Sequence, residues 1–260
     1  MSQQISSVSR RHVALLAVIL ALAPTRSVLA ATLESRKAKV KVMEQSVSKE
    51  ALQRKQRSEV VLKDEGVPLN LHLPAIESEV EAKRRSREEI AHRALTLIAI
   101  AMRAEGMDQE TAQKVVREYD LESHLSPKEK EFLAQEMPSD HDRVQFFWRY
   151  EAAYTLLWAL GYVGSLGKPE KRADLAQVIP PMKKRKTKQF IAEAELRSLS
   201  AILDQADLIY RYRWAIVDAQ LNGETTPANL NPDVALERHV ALNWLVGYMD
   251  QEWDDVSTDT

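Results

Sequence analysis

Residues 146–163 read FFWRYEAAYTLLWALGYV, a stretch apolar nearly all round a helix in which only Arg149 and Glu151 carry charge. A helix apolar on every side belongs inside a protein core. The two charges stand two positions apart, so they point to opposite sides and cannot pair with each other. An unpaired buried charge costs too much to keep. Each is therefore expected to meet an opposite charge on another segment, and any fold for this chain must wrap this stretch and supply those partners.

The rest of the chain reads as helix. Glycine is scarce, with 7 in 260 residues, while Ala, Leu, Glu, Lys and Arg abound, a balance that favours helix over sheet. Residues 34–65 are charged and helix-prone and end at Gly66, a good C-cap. Val67-Pro68 and Leu73-Pro74 then predict an extended link. Ser86 with Glu89, and Ser126-Pro127 with Glu129, are capping boxes that start two helices. Asp108 is expected to cap a further helix to about Tyr119, and Pro138-Ser139-Asp140 opens the central one, which ends at Gly161. A short helical piece runs up to Pro180-Pro181. Residues 188–221 predict one long helix, with Leu196, Leu199, Leu203, Tyr210, Trp214, Val217 and Leu221 mostly at steps of three and four. Asp204, Asp207, Arg211 and Asp218 flank that stripe at the edge of the core. Asn231-Pro232-Asp233 is a strong start for the last helix. No period of 20–50 residues repeats.

The first thirty residues predict an export signal. Arg10 and Arg11 make a basic start, residues 13–23 are an unbroken apolar run, and Val28-Leu29-Ala30 sets cleavage between Ala30 and Ala31. Eleven apolar residues fall short of the ~20 that span a bilayer, so no transmembrane segment is expected after cleavage. Ser9-Arg10-Arg11 also fits the start of a twin-arginine leader. Removing 1–30 takes away three arginines and no acids, so the mature charge is 33 − 38 = −5. That balance argues against a nucleic-acid partner. The expected address is periplasmic or secreted. The run Lys183-Lys184-Arg185-Lys186-Thr187-Lys188 is expected to be a solvated loop, with a patch for an acidic partner or anionic lipid as the alternative.

Several chemistries are excluded outright. Cysteine is absent, so there is no disulfide, thiolate metal site or cysteine nucleophile. There is no glycine-rich phosphate loop, and Gly164-Ser165-Leu166-Gly167 lacks the glycine that a nucleophile elbow needs two residues before its serine. No two histidines have H-x-x-x-H spacing, and the Glu-x-x-His of ferritin-like carboxylate sites is missing. What remains are polar residues set in apolar helices. Asp204 and Asp207 lie one turn apart, as paired carboxylates for acid–base or metal work would. Glu237 and His239 could add ligands, though their spacing puts them on different faces. His239 and Asn243 share a face, where a structural hydrogen bond to backbone is the expected use. The tryptophans at 148, 158, 214, 244 and 253 are expected to be core or cover, with a ligand-stacking box as the alternative. Trp253 is expected to dock on the core while Asp254, Asp255 and Asp259 cap helix N-termini or pair with arginines, or form a lip over a pocket or a cation site.

Taken together, these segments resemble the domain-of-unknown-function family 4272. The resemblance is carried by Gly66-Val67-Pro68 with Leu73-Pro74, EEIAHRALTL at 88–97, and Leu125 to Glu129. It continues in Trp148-Arg149-Tyr150-Glu151 through Leu156 to Gly161, and in Leu196-Arg197-Ser198. Asp204 with Asp207 to Arg211, Glu237-Arg238-His239 with Ala241 to Leu245, and the terminal WDDVSTDT complete it, so it covers about residues 50–260. It implies a bacterial helical domain and carries no activity; an export leader is a departure from the family's usual chains.

The expectation is one all-α domain, after the leader, of roughly eight helices around a buried central helix. The helices at 140–163, 188–221 and 232–248 pack together, the N-terminal helices cover them, and residues 31–66 form an N-terminal helix that could be loosely attached. The leading functional expectation is a non-enzymatic binding or interaction protein of the cell envelope, for an envelope protein or a small ligand, with no cofactor. Its surface would lie where Arg149, Glu151, Asp207, Arg211, Glu237 and Arg238 approach. Asp204, Asn243, Trp253, Asp254 and Asp255 stand as further binding candidates. One alternative is a hydrolase or metal-assisted enzyme using Glu151, Asp204, Asp207, Glu237 and His239. Another is a purely structural or assembly role, in which the polar cluster is fully paired and no cavity lies beside it.

Overall fold

The computed structural model describes residues 48–260, which are helices, turns and extended links without a strand among the described residues. The leader at 1–30, its cleavage point and residues 34–47 of the first expected helix lie outside them. In chain order the helices are α1 (Lys49–Asp64), α2 (Arg87–Glu105), α3 (Gln109–Glu118), α4 (Pro127–Ala134) and α5 (Asp140–Phe147). They continue as α6 (Arg149–Ala159), α7 (Leu175–Lys183), α8 (Thr187–Glu193), α9 (Leu199–Leu221) and α10 (Pro232–Val246). The described residues form one compact all-α unit.

The starts follow the local signals. Ser86 and Ser126 each accept the amide three residues on while Glu89 and Glu129 reach back, so both capping boxes are formed. Asn231 accepts from the Asp233 and Val234 amides, and Pro232 stands at the first helical position. In α6 every residue from Tyr150 to Ala159 is buried. In α2 the buried positions also go all round, from Ile90 to Ala104. Helix α2 packs along α6, α6 against α10, α10 against α9, and α1 on α9.

The helices depart from the sequence expectation in several places. Helix α2 is not a cover but a second central helix, because Leu95, Leu97, Ile98 and Ile100 leave no polar face to turn to water. The helix through 140–163 is interrupted at Trp148, where the Glu151 amide takes the Trp148 carbonyl in a tighter i to i+3 turn. Helix α7 runs on through Pro180 and Pro181, held by burial of Val178 and Met182 on one side. The stripe from 188 to 221 is two helices, since residues 194–198 are extended.

That last break has a cause outside its own segment. The Glu195 amide donates to the Leu160 carbonyl and the Arg197 amide to the Ala159 carbonyl, both at 2.9 Å. The extended strip thus satisfies the carbonyls left over at the end of α6. The same device closes α10: the Lys83 and Arg85 amides donate to the Val246 and Leu245 carbonyls at 3.0 Å. In both places the helix ends in a positive-φ glycine, Gly161 or Gly247, and the strip leads into a serine N-cap, Ser198 or Ser86. The arginine of each strip lies over a tryptophan: Arg197 over Trp158 at 4.9 Å and Arg85 over Trp244 at 5.1 Å. The sequences match too, because EAAYTLLWALGY at 151–162 and ERHVALNWLVGY at 237–248 share Glu, Leu, Trp, Gly and Tyr at one offset. One helix-and-strip arrangement therefore occurs twice, with the start of each half closing the helix end of the other.

Candidate functional site

The two matching acids, Glu151 and Glu237, lie on the facing helices α6 and α10, and each is paired by an arginine from the other helix. Arg238 Nε donates to Glu151 Oε1 at 2.8 Å, and its Nη1 donates to the Leu166 and Gly167 carbonyls. The other oxygen of Glu151 accepts the Ala173 amide at 2.7 Å. Arg149 Nη1 donates to both oxygens of Glu237 at 3.2 and 3.1 Å. The two pairs differ in burial: side chains of Arg238 and Glu151 are 4% and 2% exposed, those of Arg149 and Glu237 22% and 11%. Burial pushes the Glu237 carboxyl up, against the pull of Arg149. The requirement that Arg149 and Glu151 find opposite charges on another segment is thus met by one helix.

The other expected members stand elsewhere. Asp207 and Arg211 pair with each other within α9, two bonds at 2.8 Å, and Arg211 also donates to the Pro74 carbonyl of the extended link. They are buried rather than at the core's edge, because that link covers them. Asp204 meets Arg57 and Arg54 of α1. Neither Asp204 nor Asp207 shares a partner with Glu151 or Glu237. The four acids and one histidine expected to act together thus do not converge, and among the described residues no three His, Cys, Asp or Glu form a group that could hold a metal ion.

The tail is a docked strap. Trp253 is buried against Trp244, with Arg93 at 5.2 Å and Arg149 at 5.9 Å from its ring. Asp254 accepts from the Ser126 hydroxyl and the Lys128 amide, capping α4 from outside its own segment. Asn243 Nδ2 donates to the Ser257 carbonyl, the backbone bond expected of it. Asp255 is exposed.

His239 is buried between α10 and α9, 2% exposed, with Nδ1 lacking a hydrogen-bond partner among the described residues. Burial, with the nearby Arg213 charge, drives its pKa down to about 3. The imidazole is neutral in the fold and cannot serve as a proton carrier near neutral pH. Below its ordinary value of about 6.5 the unfolded chain takes up a proton that the folded chain refuses. Stability is therefore lost from about pH 6.5 downward, by about 1.4 kcal/mol per unit, until the folded pKa is reached. Urea unfolding at pH 7 and pH 5 is expected to give a smaller loss for His239→Gln than for the wild type, by about 2 kcal/mol. Equal losses in the two proteins would refute this.

The space that could take a ligand lies beside Glu151. A cavity of about 320 Å³ is lined by Phe147, Trp148, Tyr150, Glu151, Arg172, Ala173 and Leu175. It sits where α5 gives way to α6 and where the loop from Gly161 enters α7. The Arg172 guanidinium lies 5.4 Å from the Phe147 ring centre and 5.8 Å from that of Trp148. It is exposed and has no carboxylate partner among the described residues. The Tyr150 hydroxyl donates to Glu105, and burial pushes the phenol far up. Of the surface expected from sequence, only Glu151 lines this cavity. Phe147, Tyr150, Arg172 and Leu175 carry no mark of a site in the sequence: the aromatics read as core, and Arg172 stands in a loop with no pattern. Besides Glu151, Trp148 carries a signal, through the ligand-stacking alternative.

The family model described as Domain of unknown function (DUF4272) matches residues 54–256. No curated protein and no solved structure matches the chain.

Proposed function

The chain belongs to the DUF4272 family, a domain of unknown function, and on that premise we propose that it is a non-enzymatic binding protein of the cell envelope with its site at the Trp148–Arg172 cavity. One observation carries the reading. Both oxygens of Glu151 are already taken by Arg238 and the Ala173 amide, and Tyr150 is committed to Glu105. The cavity wall therefore offers apolar surface and a guanidinium, which suit binding, and no free base or nucleophile, which catalysis would need. The envelope half of the proposal is supported by the leader pattern at 1–30. Among the described residues no helix is long and apolar enough to cross a membrane.

A thermal-shift screen of small molecules tests the binding half, run on the wild type and on Leu175→Trp, which fills the cavity. A true ligand at a hundred times its Kd should stabilise the wild type by about 2.7 kcal/mol, a rise of roughly 5–10 °C, and should leave the filled variant unmoved. Equal rises in both proteins would overturn the site. N-terminal sequencing of the protein recovered from fractionated cells tests the address: a start at Ala31 in the periplasm supports it, and an intact Met1 in the cytoplasm overturns it.

A further inference from the structure

We infer that the cavity takes a small organic carboxylate with a flat apolar body, its carboxylate held by Arg172 and its body covered by Phe147, Trp148 and Leu175. This inference rests on reading the cavity as a binding site and adds the chemical class of the ligand.

A guanidinium lying over aromatic faces keeps its in-plane N–H donors free, in the fork geometry that fits a carboxylate. Arg172 is in that state: it lies over two rings and is bonded to no acid among the described residues. The carboxylates near Arg172 already have partners of their own. Glu151 is neutralised by Arg238, and Asp174, next along the chain, accepts the Ala176 amide as the cap of α7. Of the two charged residues that line the cavity, the one left without a counter-ion is Arg172 at the mouth, which favours an anion. An aromatic wall by itself also suits an ammonium ion, but such a ligand would have to displace Arg172 from the same rings. It would also find the only lining carboxylate already held. A bare inorganic anion would leave the apolar walls uncovered. The volume of about 320 Å³ holds roughly ten water-sized groups at about 30 Å³ each, the size of a single-ring acid.

The test compares three probes of nearly one shape: phenylacetate, the neutral phenylacetamide and the cationic phenethylamine. Binding to the full chain is followed by chemical-shift changes at the Trp148 indole, assigned by its loss in Trp148→Phe. Phenylacetate is expected to bind at least tenfold more tightly than the amide. Arg172→Gln should bring that ratio to within about twofold while leaving the unfolding midpoint unchanged, since Arg172 is exposed. If the amide or the amine binds as well as the acid, or the preference survives Arg172→Gln, the anion assignment falls while the cavity stands as a binding site. If none of the three shifts the Trp148 indole, the anion assignment falls with it. The binding reading is then judged by the separate Leu175→Trp screen.

Discussion

Glu151→Gln is expected to lower the unfolding midpoint by roughly 6–12 °C, corresponding to about 3 kcal/mol for a domain of this size. The size of the effect follows from what each oxygen does. Oε1 accepts from Arg238 and Oε2 accepts from the Ala173 amide, so both partners are donors. Glutamine has one acceptor oxygen and one NH₂, and whichever way it is turned, one donor faces another donor. Arg238 is only 4% exposed, so its charge then lacks both a counter-ion and water. It keeps the carbonyls of Leu166 and Gly167, which prevents a larger loss. The parallel change Glu237→Gln should cost less than half as much. There both bonds come from a single nitrogen of Arg149, Arg149 is 22% exposed, and burial already disfavours the Glu237 charge. Urea unfolding of both variants measures the difference. Equal costs would mean that the two pairs are energetically alike, and an unchanged Glu151→Gln would mean that the pair only offsets its own desolvation.

Gly247→Ala is expected to cost about 3–4 kcal/mol, and Gly161→Ala nearly as much. Both glycines have positive φ, +69° and +82°, which a side chain adopts at about 1–2 kcal/mol. Each is also pressed against backbone. A methyl group at 247 would stand 2.6 Å from the Lys83 carbonyl oxygen, and one at 161 would stand 2.7 Å from that of Glu195. A carbonyl cannot swing away as a side-chain tip can. The strip must move, and it carries the two hydrogen bonds that close the helix end, each worth about 1 kcal/mol. Gly223 is the control, because its φ is +71° and nothing lies within 4 Å of the added methyl. Gly223→Ala should show the backbone cost alone. Denaturant midpoints at constant slope measure all three. If the three variants lose equal stability, the strips do not press on the glycines as described.

The amino-acid order alone was enough for whatever depends on neighbours three or four residues away. The capping boxes at Ser86 and Ser126 and the Asn231-Pro232 start formed as read, since a side chain and an amide in one turn need no third element. It also determined that Arg149 and Glu151 would be paired outside their own helix, because burial of FFWRYEAAYTLLWALGYV forbids any other outcome. Which arginine and which acid would answer, some 87 residues along the chain, was a matter of how α6 and α10 cross. The extended strip at 194–198 was hidden for the same reason: its apolar spacing continues a helix, and only the unsatisfied carbonyls at the end of α6 pull it straight. The candidate site was least legible of all. Phe147 and Trp148 become a wall only because the helix breaks between α5 and α6, and Arg172 reaches their rings only because the Ala173 amide beside it is tied to Glu151. Periodicity records which residues leave water, whereas the placing of a loop against a helix is decided by hydrogen bonds between segments far apart in sequence, and that information exists only in the assembled fold.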